Sequence, residues 1–179
     1  MNCKHAYLLA TVLLAIGANN LITTKTAAAA DLNSAPIISY PKNMRGSWYY
    51  YDTYTKKVNK EIFTKTTAKF YVGKKEVGYT KLHAYVKHNS LKADSKYQEK
   101  TARWVYADSQ DTINGVIWLN ILSWDQKVGA SYNVTDLDNN SVLTSASGNK
   151  PLVDHHAYRT PKLAQDLKDI HYQVFNYYN

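Results

Sequence analysis

Cysteine is almost absent from this chain of 179 residues, and glycine and proline are scarce. Cys3 is the one cysteine of the sequence, and because a disulfide framework and a Cys₄ zinc site need more than one, both are excluded. Seven glycines and four prolines exclude a collagen-like chain and a low-complexity linker. Hydrophobic residues nevertheless make up 45% of the chain and aromatic residues 13%, a composition typical of a folded protein rather than a disordered one.

Motifs of the common catalytic classes are also lacking. The chain contains no Gly-x-Ser-x-Gly elbow, no His-Glu-x-x-His pair and no glycine-rich phosphate loop, and the enzyme classes that depend on them are disfavoured. A glycosidase needs only two carboxylates, which can lie far apart in the sequence, so a cell-wall hydrolase stays open as an alternative. We predict no catalytic residues and no cofactor.

Two short segments resemble parts of metal sites. Residues 154–156 read Asp-His-His, but neighbouring residues of a strand point to opposite faces, so only the first and third would share a side. Residues 136–140 resemble the start of a calcium-binding loop, yet Ser141 and Ser147 stand where that loop needs glycine and glutamate. We interpret the first segment as surface histidines and the second as a hairpin turn, and we predict no metal.

The first thirty residues have the pattern of an export signal. A basic start at 4–5 precedes an apolar run at 6–18, which is too short for a membrane span of about 20 residues. Ala28 and Ala30 satisfy the small-x-small rule of signal peptidase, so we expect cleavage before Asp31. An uncleaved membrane anchor is the alternative.

No second apolar span and no wall-sorting tail follow this signal. We therefore expect a secreted, extracellular protein, either free or attached non-covalently to the cell wall, with no membrane span in its mature chain. The expected organisation is a cleaved signal peptide at 1–30, a flexible leader at 31–42 and a single barrel-like domain at 43–179.

The dominant period of the mature chain is two, which predicts strands. Apolar and polar residues alternate in 61–72 and 80–88; in the first of these runs Ile62 and Ala68 share the apolar face. The run 113–124 is apolar on both faces, which predicts a central strand.

Turn-forming clusters separate these runs. They are Lys56-Lys57, Gly73-Lys74, 108–111, Asp125-Gln126 and 138–140. Several strands at such short spacing predict an all-β, mainly antiparallel barrel or sandwich, with the tail 172–178 returning as a last strand.

One helix is predicted, at 161–170. Thr160-Pro161 supplies a capping residue followed by proline at the first helical position. Leu163, Leu167 and Ile170 then recur on one side only, so we expect the helix to lie on the outside of the sheet.

Positive charge is concentrated in the first half of the chain. Residues 56–76 carry seven lysines against two glutamates, whereas 104–179 carry five basic and eight acidic residues. Such asymmetry attracts polyanions, which for an exported protein are wall teichoic acids and phospholipid headgroups rather than nucleic acid. A lysine-rich face that only keeps the protein soluble is the alternative. The candidate binding lysines are Lys56, Lys57, Lys65, Lys69, Lys74 and Lys75.

Aromatic residues are densest at Trp48-Tyr49-Tyr50-Tyr51. In a strand, Trp48 and Tyr50 face one way and Tyr49 and Tyr51 the other, so one pair can pack in the core. An exposed tyrosine can stack on a sugar ring. We take Trp48, Tyr49 and Tyr51 as candidate ligand-binding residues.

Gly46-Ser47-Trp48 resembles the Gly-x-Trp signature that opens the first strand of lipocalins and other calycins. The resemblance implies a barrel of about eight strands with one C-terminal flanking helix. It also implies that Trp48 packs at the closed end of the barrel and that Arg159, just after the last strand, lies over it. In that family the barrel interior holds small apolar ligands.

A second resemblance covers most of the mature chain. It is similar to small uncharacterised secreted proteins of lactic acid bacteria in the segments 45–49, 55–57, 63–65, 118–120 and 162–164. This resemblance implies a compartment and a shape, but no activity.

These observations lead to three functional hypotheses. The first is a non-catalytic binding protein that associates with anionic or glycan cell-wall material. The second is a lipocalin-like carrier of a small apolar ligand, and the third is a cell-wall hydrolase. The residues expected to line the cavity of a carrier are Trp48, Leu82, Val86, Ile117 and Leu119.

Overall fold

The part of the chain that the computed structural model describes comprises residues 36–85, 95–124, 129–147 and 151–178, with the backbone alone at Ser109. The expected signal peptide at 1–30, the cavity residue Val86 and the turn expected at Asp125-Gln126 lie outside the described residues.

Nine strands joined in chain order close into one barrel. They are β1 Gly46–Asp52, β2 Lys57–Phe63, β3 Thr67–Val72, β4 Lys75–Leu82, β5 Trp104–Ile113, β6 Val116–Ser123, β7 Gly129–Leu137, β8 Asn140–Ser147 and β9 Leu152–Tyr158. Among these strands, neighbours are antiparallel except β4 and β5, which run parallel over two residue pairs. The all-β, mainly antiparallel barrel is confirmed, with nine strands where about eight were expected.

Short helices flank the barrel. A 3₁₀ turn, Lys42–Met44, precedes β1, helix α1 (Ser95–Thr101) precedes β5, and helix α2 (Pro161–Asp166) follows β9. α2 begins as predicted, because the Thr160 hydroxyl accepts a hydrogen bond from the backbone N–H of Leu163 at 3.2 Å. α2 is shorter than the predicted 161–170, since turns replace the helix after Asp166. α1 was not predicted, because its sequence lacks a periodic apolar stripe.

The turn predicted at 108–111 is wrong, because β5 continues through these residues. The β5–β6 hairpin instead reverses at Asn114 and Gly115, whose φ angles of 53° and 77° suit a two-residue hairpin turn. The run 113–124 is therefore not one strand: Ile113 ends β5 and Trp124 follows β6.

The run 61–72 is two strands rather than one. β2 ends at Phe63 and β3 begins at Thr67, and the Thr64 hydroxyl accepts hydrogen bonds from the backbone N–H groups of Thr66 and Thr67 at 3.3 and 3.0 Å. Similarly, β4 ends at Leu82 instead of continuing through the predicted run to 88, whose last residues are not described.

Two apolar clusters stabilise the barrel. The interior cluster has at its core Tyr40, Met44, Trp48, Phe63, Ala68, Leu82, Val105, Ala107, Leu119, Ile121, Leu143 and Ala157. The outer cluster forms where α2 and the tail cover β6, β8 and β9; its buried members are Trp118, Leu137, Val142, Ala146, Val153, Tyr158, Ala164, Tyr172 and Phe175.

The tail contributes a single parallel bridge between Asn176 and Leu152 rather than a full strand. β8 is buried on both faces, the environment that had been expected for 113–124.

Trp48 and Tyr40 close one end of the barrel. The indole of Trp48 is fully buried, and its Nε1 donates a hydrogen bond to the Met44 carbonyl at 2.7 Å. Tyr40 is also buried, and its backbone N–H donates to the Lys65 carbonyl at 2.9 Å. The packed end thus begins inside the segment 31–42 that was expected to be a flexible leader.

Arg159 ties the two ends of the barrel sequence together. Its guanidinium lies 3.5 Å from the centre of the Trp48 ring and donates to the carbonyls of Arg45 and Asn43 at 3.0 and 2.7 Å. Gly46 has a φ of 106°, and a Cβ at this position would lie only 3.1 Å from the guanidinium. Glycine is therefore required at position 46 both by the backbone conformation and by the approach of Arg159.

We predict that Arg159→Met lowers the free energy of unfolding by about 2–4 kcal/mol, because two charge-assisted hydrogen bonds and a cation–π contact are lost. Urea unfolding followed by circular dichroism measures the change. Arg103→Met is the matched control: Arg103 lies 4.4 Å above the Tyr79 ring but is exposed, and its loss should cost less than about 1 kcal/mol. Equal losses in the two variants would contradict a closing role for Arg159.

Candidate functional site

Tyrosine and lysine side chains share the outer face of strands β1 to β4. Because side chains alternate along a strand and neighbouring strands are in register, residues of different strands form rows. Tyr49 pairs with Lys60 and Lys60 with Tyr71, which gives one row across three strands. We call this surface the Tyr/Lys face; its members are Tyr49, Tyr51, Lys60, Lys69, Tyr71, Tyr79 and Lys81.

Cations lie over three tyrosine rings of this face. Lys60 Nζ is 4.1 Å from the centre of the Tyr71 ring, and the Arg103 guanidinium is 4.4 Å from that of Tyr79. Lys168, from the turn after α2, has its Nζ 5.1 Å from the Tyr51 ring. These contacts restrain long basic side chains on the surface, so a ligand of these side chains would cost less conformational entropy to bind.

Glu76 is the acidic residue of this surface. It accepts hydrogen bonds from Lys69 Nζ at 3.1 Å and from the Tyr71 hydroxyl at 2.9 Å. These two donors hold the pKa of the Glu76 carboxyl below its usual range. Lys69, a candidate from the sequence, is therefore already paired with a carboxylate.

The structure separates the other candidate lysines. Lys56 and Lys57 lie at the β1–β2 turn, and Lys74 and Lys75 at the β3–β4 turn. These two turns share one end of the barrel, because β1 to β4 alternate in direction. Lys65, in the β2–β3 turn, lies at the opposite end. All five are exposed.

Sequence reasoning missed Lys60, Lys81 and Arg103. The positions of Lys60 and Lys81 on the face follow from strand register, which the sequence alone does not reveal, and Arg103 reaches Tyr79 from the turn before β5. The predicted tyrosines are less accessible than expected, since Tyr49 and Tyr51 are only partly exposed and Tyr49 packs against the outer cluster.

Glu61 explains why this face is strongly basic. It is one of the two acidic residues of 56–76, but its side chain points into the barrel and is only 5% exposed. The outward charges of this segment are therefore seven lysines against Glu76 alone.

Glu61 belongs to a polar group inside the barrel. Its Oε1 lies 3.3 Å from His155 Nε2, although the two are not aligned for a hydrogen bond, and its Oε2 has no hydrogen-bond partner among the described residues. The His155 ring stacks on Tyr50 at 3.9 Å. Burial, with a contribution from the charge of Glu61, raises the pKa of Tyr40 to about 12 and that of Tyr132 well above its usual value.

His156 faces outward, opposite to His155, as strand alternation requires. Its two ring nitrogens form hydrogen bonds with the hydroxyls of Thr144 and Tyr177 at 2.9 and 2.8 Å. Burial, reinforced by the neighbouring His155 and His171, lowers the pKa of His156 to about 3. His156 is therefore a neutral side chain that holds the tail against the barrel.

The residues expected to line the cavity of a carrier, Val86 apart, face the barrel interior. Trp48, Leu82 and Leu119 belong to the interior cluster, and Ile117 is half-buried on the same face of β6 as Leu119. Packing of this kind favours a filled interior. Transport of an apolar ligand, and the absence of catalysis, stay predictions.

Comparison of the chain with protein-family models, with curated proteins and with solved structures gave no match. The helices within the described ranges are too short or too polar to cross a membrane. Within those same ranges, no group of three or more His, Cys, Asp or Glu side chains could hold a metal ion.

The buried histidine predicts a pH dependence of stability. Below about pH 6.5 the unfolded chain binds a proton at His156 that the folded chain does not bind until about pH 3. Stability is therefore lost as the pH falls through this window, by up to about 1.4 kcal/mol per pH unit. The free energy of unfolding, measured with urea between pH 7 and pH 4, should therefore depend less steeply on pH in His156→Gln than in the wild type. Identical slopes would show that His156 does not contribute.

Proposed function

We propose that the protein is an exported, non-catalytic binding protein that associates with anionic or glycan cell-wall material through the Tyr/Lys face. The observation that carries the proposal is the row Tyr49–Lys60–Tyr71, in which the ammonium group of Lys60 lies 4.1 Å above the Tyr71 ring.

Charge supports an anionic partner. The segment 56–76 presents seven lysines outward against Glu76, whereas its second acid, Glu61, is buried inside the barrel. Clustered lysines raise the local concentration of a polyanion and accelerate its association. The lysines at the β1–β2 and β3–β4 turns extend the basic surface to one end of the barrel.

Tyrosine supports a partner that also contains sugar. A tyrosine ring offers an apolar face to the C–H groups of a sugar and a hydroxyl to its oxygens. Tyr79 is 39% exposed beside Lys69, with which it is paired across β3 and β4. A polymer that alternates phosphate and sugar would find both kinds of contact within one row of the sheet.

Export rests on the signal-like segment at 1–30 and on the resemblance to secreted proteins of lactic acid bacteria. The Gly-x-Trp start and the contact between Trp48 and Arg159 also resemble the calycin pattern. These features support a wall location for the partner and leave the chemistry of binding to the Tyr/Lys face.

Co-sedimentation with purified cell walls tests the proposal. We expect the triple variant Lys60→Gln, Lys69→Gln and Lys81→Gln to bind teichoic-acid-containing walls about tenfold more weakly than the wild type, because the phosphate contacts of Lys60 and Lys81 are lost and the Glu76 carboxylate no longer has its Lys69 partner. The matched control neutralises three exposed lysines elsewhere, Lys42→Gln, Lys96→Gln and Lys162→Gln, and should keep most of the affinity.

Varying the salt concentration and the surface offered for binding distinguishes the possible outcomes of this experiment. About 0.5 M salt, where the screening length falls to roughly 4 Å, should release the bound protein. Equal weakening in the two triple variants would contradict a role for the Tyr/Lys face. Salt-resistant binding to walls stripped of teichoic acid would contradict an anionic partner, and tighter binding to anionic vesicles would replace the wall with a lipid surface.

A further inference from the structure

The barrel is incompletely paired at its closing seam. β1 and β9 share a single residue pair, Tyr49 and Tyr158. Beyond this pair, residues 50–52 of β1 and 153–157 of β9 have no backbone pairing with each other. A cleft of about 420 Å³ lies there, bounded on its outer side by the turn after α2 and by the tail. This volume falls within the range of about 300–1,000 Å³ that is typical of small-molecule sites. We call it the seam cleft.

An aromatic pair lines the inner side of the seam cleft. Tyr50 and His155 face the barrel interior, and their rings stack at 3.9 Å with an angle of 19° between the planes. Glu61 lies behind His155, so the imidazole is restrained from within the barrel. Stacking covers one face of each ring, so the pair forms a restrained aromatic wall of the cleft that requires little ordering when a ligand binds.

Two charged residues that line the seam cleft can bind a polar ligand, Asp154 as an acceptor and Lys168 as a donor. Asp154 Oδ1 accepts hydrogen bonds from Ser147 and, at 3.5 Å, from the Tyr178 hydroxyl, while Oδ2 accepts none from the described part of the chain. Lys168 has no carboxylate within ion-pair distance among the described residues. Asp52 also lines the cleft, but its two oxygens accept hydrogen bonds from the β1–β2 turn and from β2.

These groups restrict the chemistry of a ligand. An apolar molecule would remove Asp154 and Lys168 from water without replacing their hydrogen bonds, which is unfavourable. An anion would meet the carboxylates of Asp52 and Asp154, with Glu61 close behind, whereas Lys168 is the one lysine or arginine among the residues that line the cleft. A neutral polyhydroxyl ring satisfies both conditions, because its hydroxyls donate to a carboxylate and accept from an ammonium, and its C–H face stacks on an aromatic ring.

We propose that the seam cleft binds one or two pyranose rings of a neutral carbohydrate. The Tyr50–His155 pair and the exposed ring of Tyr178 supply the stacking surfaces. Asp154 accepts hydrogen bonds from ring hydroxyls, and Lys168 donates to them. The site borders the Tyr/Lys face at Tyr51 and Lys168 but includes none of Lys60, Lys69 and Lys81, so the inference does not depend on the proposed function.

Titration of the ¹⁵N-labelled protein with neutral sugars tests this site. The probes are glucose, maltose, N-acetylglucosamine and its β-1,4-linked dimer, each added to about 20 mM so that dissociation constants of a few millimolar are detected. We expect at least one probe to cause saturable shifts of backbone amides at 50–53, 153–156 and 167–171. Absence of saturable shifts with all four sugars would overturn the proposal.

Matched variants locate the binding. Asp154→Asn should weaken sugar binding about tenfold, and Tyr178→Ala should weaken it about threefold to tenfold. Lys168→Gln, which replaces the proposed donor on an exposed side chain, should also weaken sugar binding. For each variant, an unchanged spectrum outside the cleft verifies that the protein is folded. Tyr54→Ala, which removes an exposed ring that belongs neither to the Tyr/Lys face nor to the lining of the cleft, should leave sugar affinity unchanged.

The outcomes also distinguish this inference from the proposed function. Wall binding that needs Lys60, Lys69 and Lys81, without sugar-dependent shifts in the cleft, would overturn the sugar site and leave the proposed function intact. Loss of sugar binding in Tyr79→Ala, which removes a ring from the Tyr/Lys face, would move the sugar to that face and overturn the seam cleft as its site. Stronger shifts with glycerol phosphate than with any sugar would assign the cleft to an anion and overturn the proposal.

Discussion

Closure of the barrel depends on Arg159, because β1 and β9 are joined by only one residue pair. A seam so short supplies few interstrand hydrogen bonds. Arg159 adds two hydrogen bonds to the carbonyls of Asn43 and Arg45 and covers the ring of Trp48. These contacts join residues more than a hundred positions apart, so one side chain fixes where the last strand meets the first.

The odd number of strands explains why β4 and β5 run parallel when the other neighbours are antiparallel. When every neighbour in a closed barrel is antiparallel, directions alternate around the ring and the number of strands must be even. Nine strands therefore require at least one parallel pair, which β4 and β5 supply. A parallel connection needs a crossover, and the segment that contains α1 provides it. The β1–β9 seam is antiparallel and has one residue pair, and the cleft lies where the two strands are no longer paired.

The features of the fold that depend on local sequence patterns were predicted better than those that depend on pairing between strands. Alternation predicted the strands, Thr160-Pro161 predicted the start of α2, and the tyrosine run was correctly divided between the two faces of β1. Treating 61–72 as one strand placed Ile62 with Ala68, whereas a turn at 64–66 places Phe63 with Ala68. A shift of one residue reverses every side chain of a strand, so the inward position of Glu61 was not predicted. The contact of Lys60 with Tyr71 and the seam cleft depend on pairing between strands, which no local pattern encodes.

The inward position of Glu61 links the two candidate surfaces. Turned outward, its carboxylate would reduce the positive charge beside Lys60 and Lys69 on the Tyr/Lys face. Turned inward, it leaves that face basic and places a negative charge behind the His155 ring, where it disfavours anions in the seam cleft. Tyr51 and Lys168, in contact at 5.1 Å, lie on the border between the two surfaces. The register of β2 thus separates the basic Tyr/Lys face, for which we propose an anionic partner, from the seam cleft, for which we propose a neutral sugar, although the two are neighbours on one barrel.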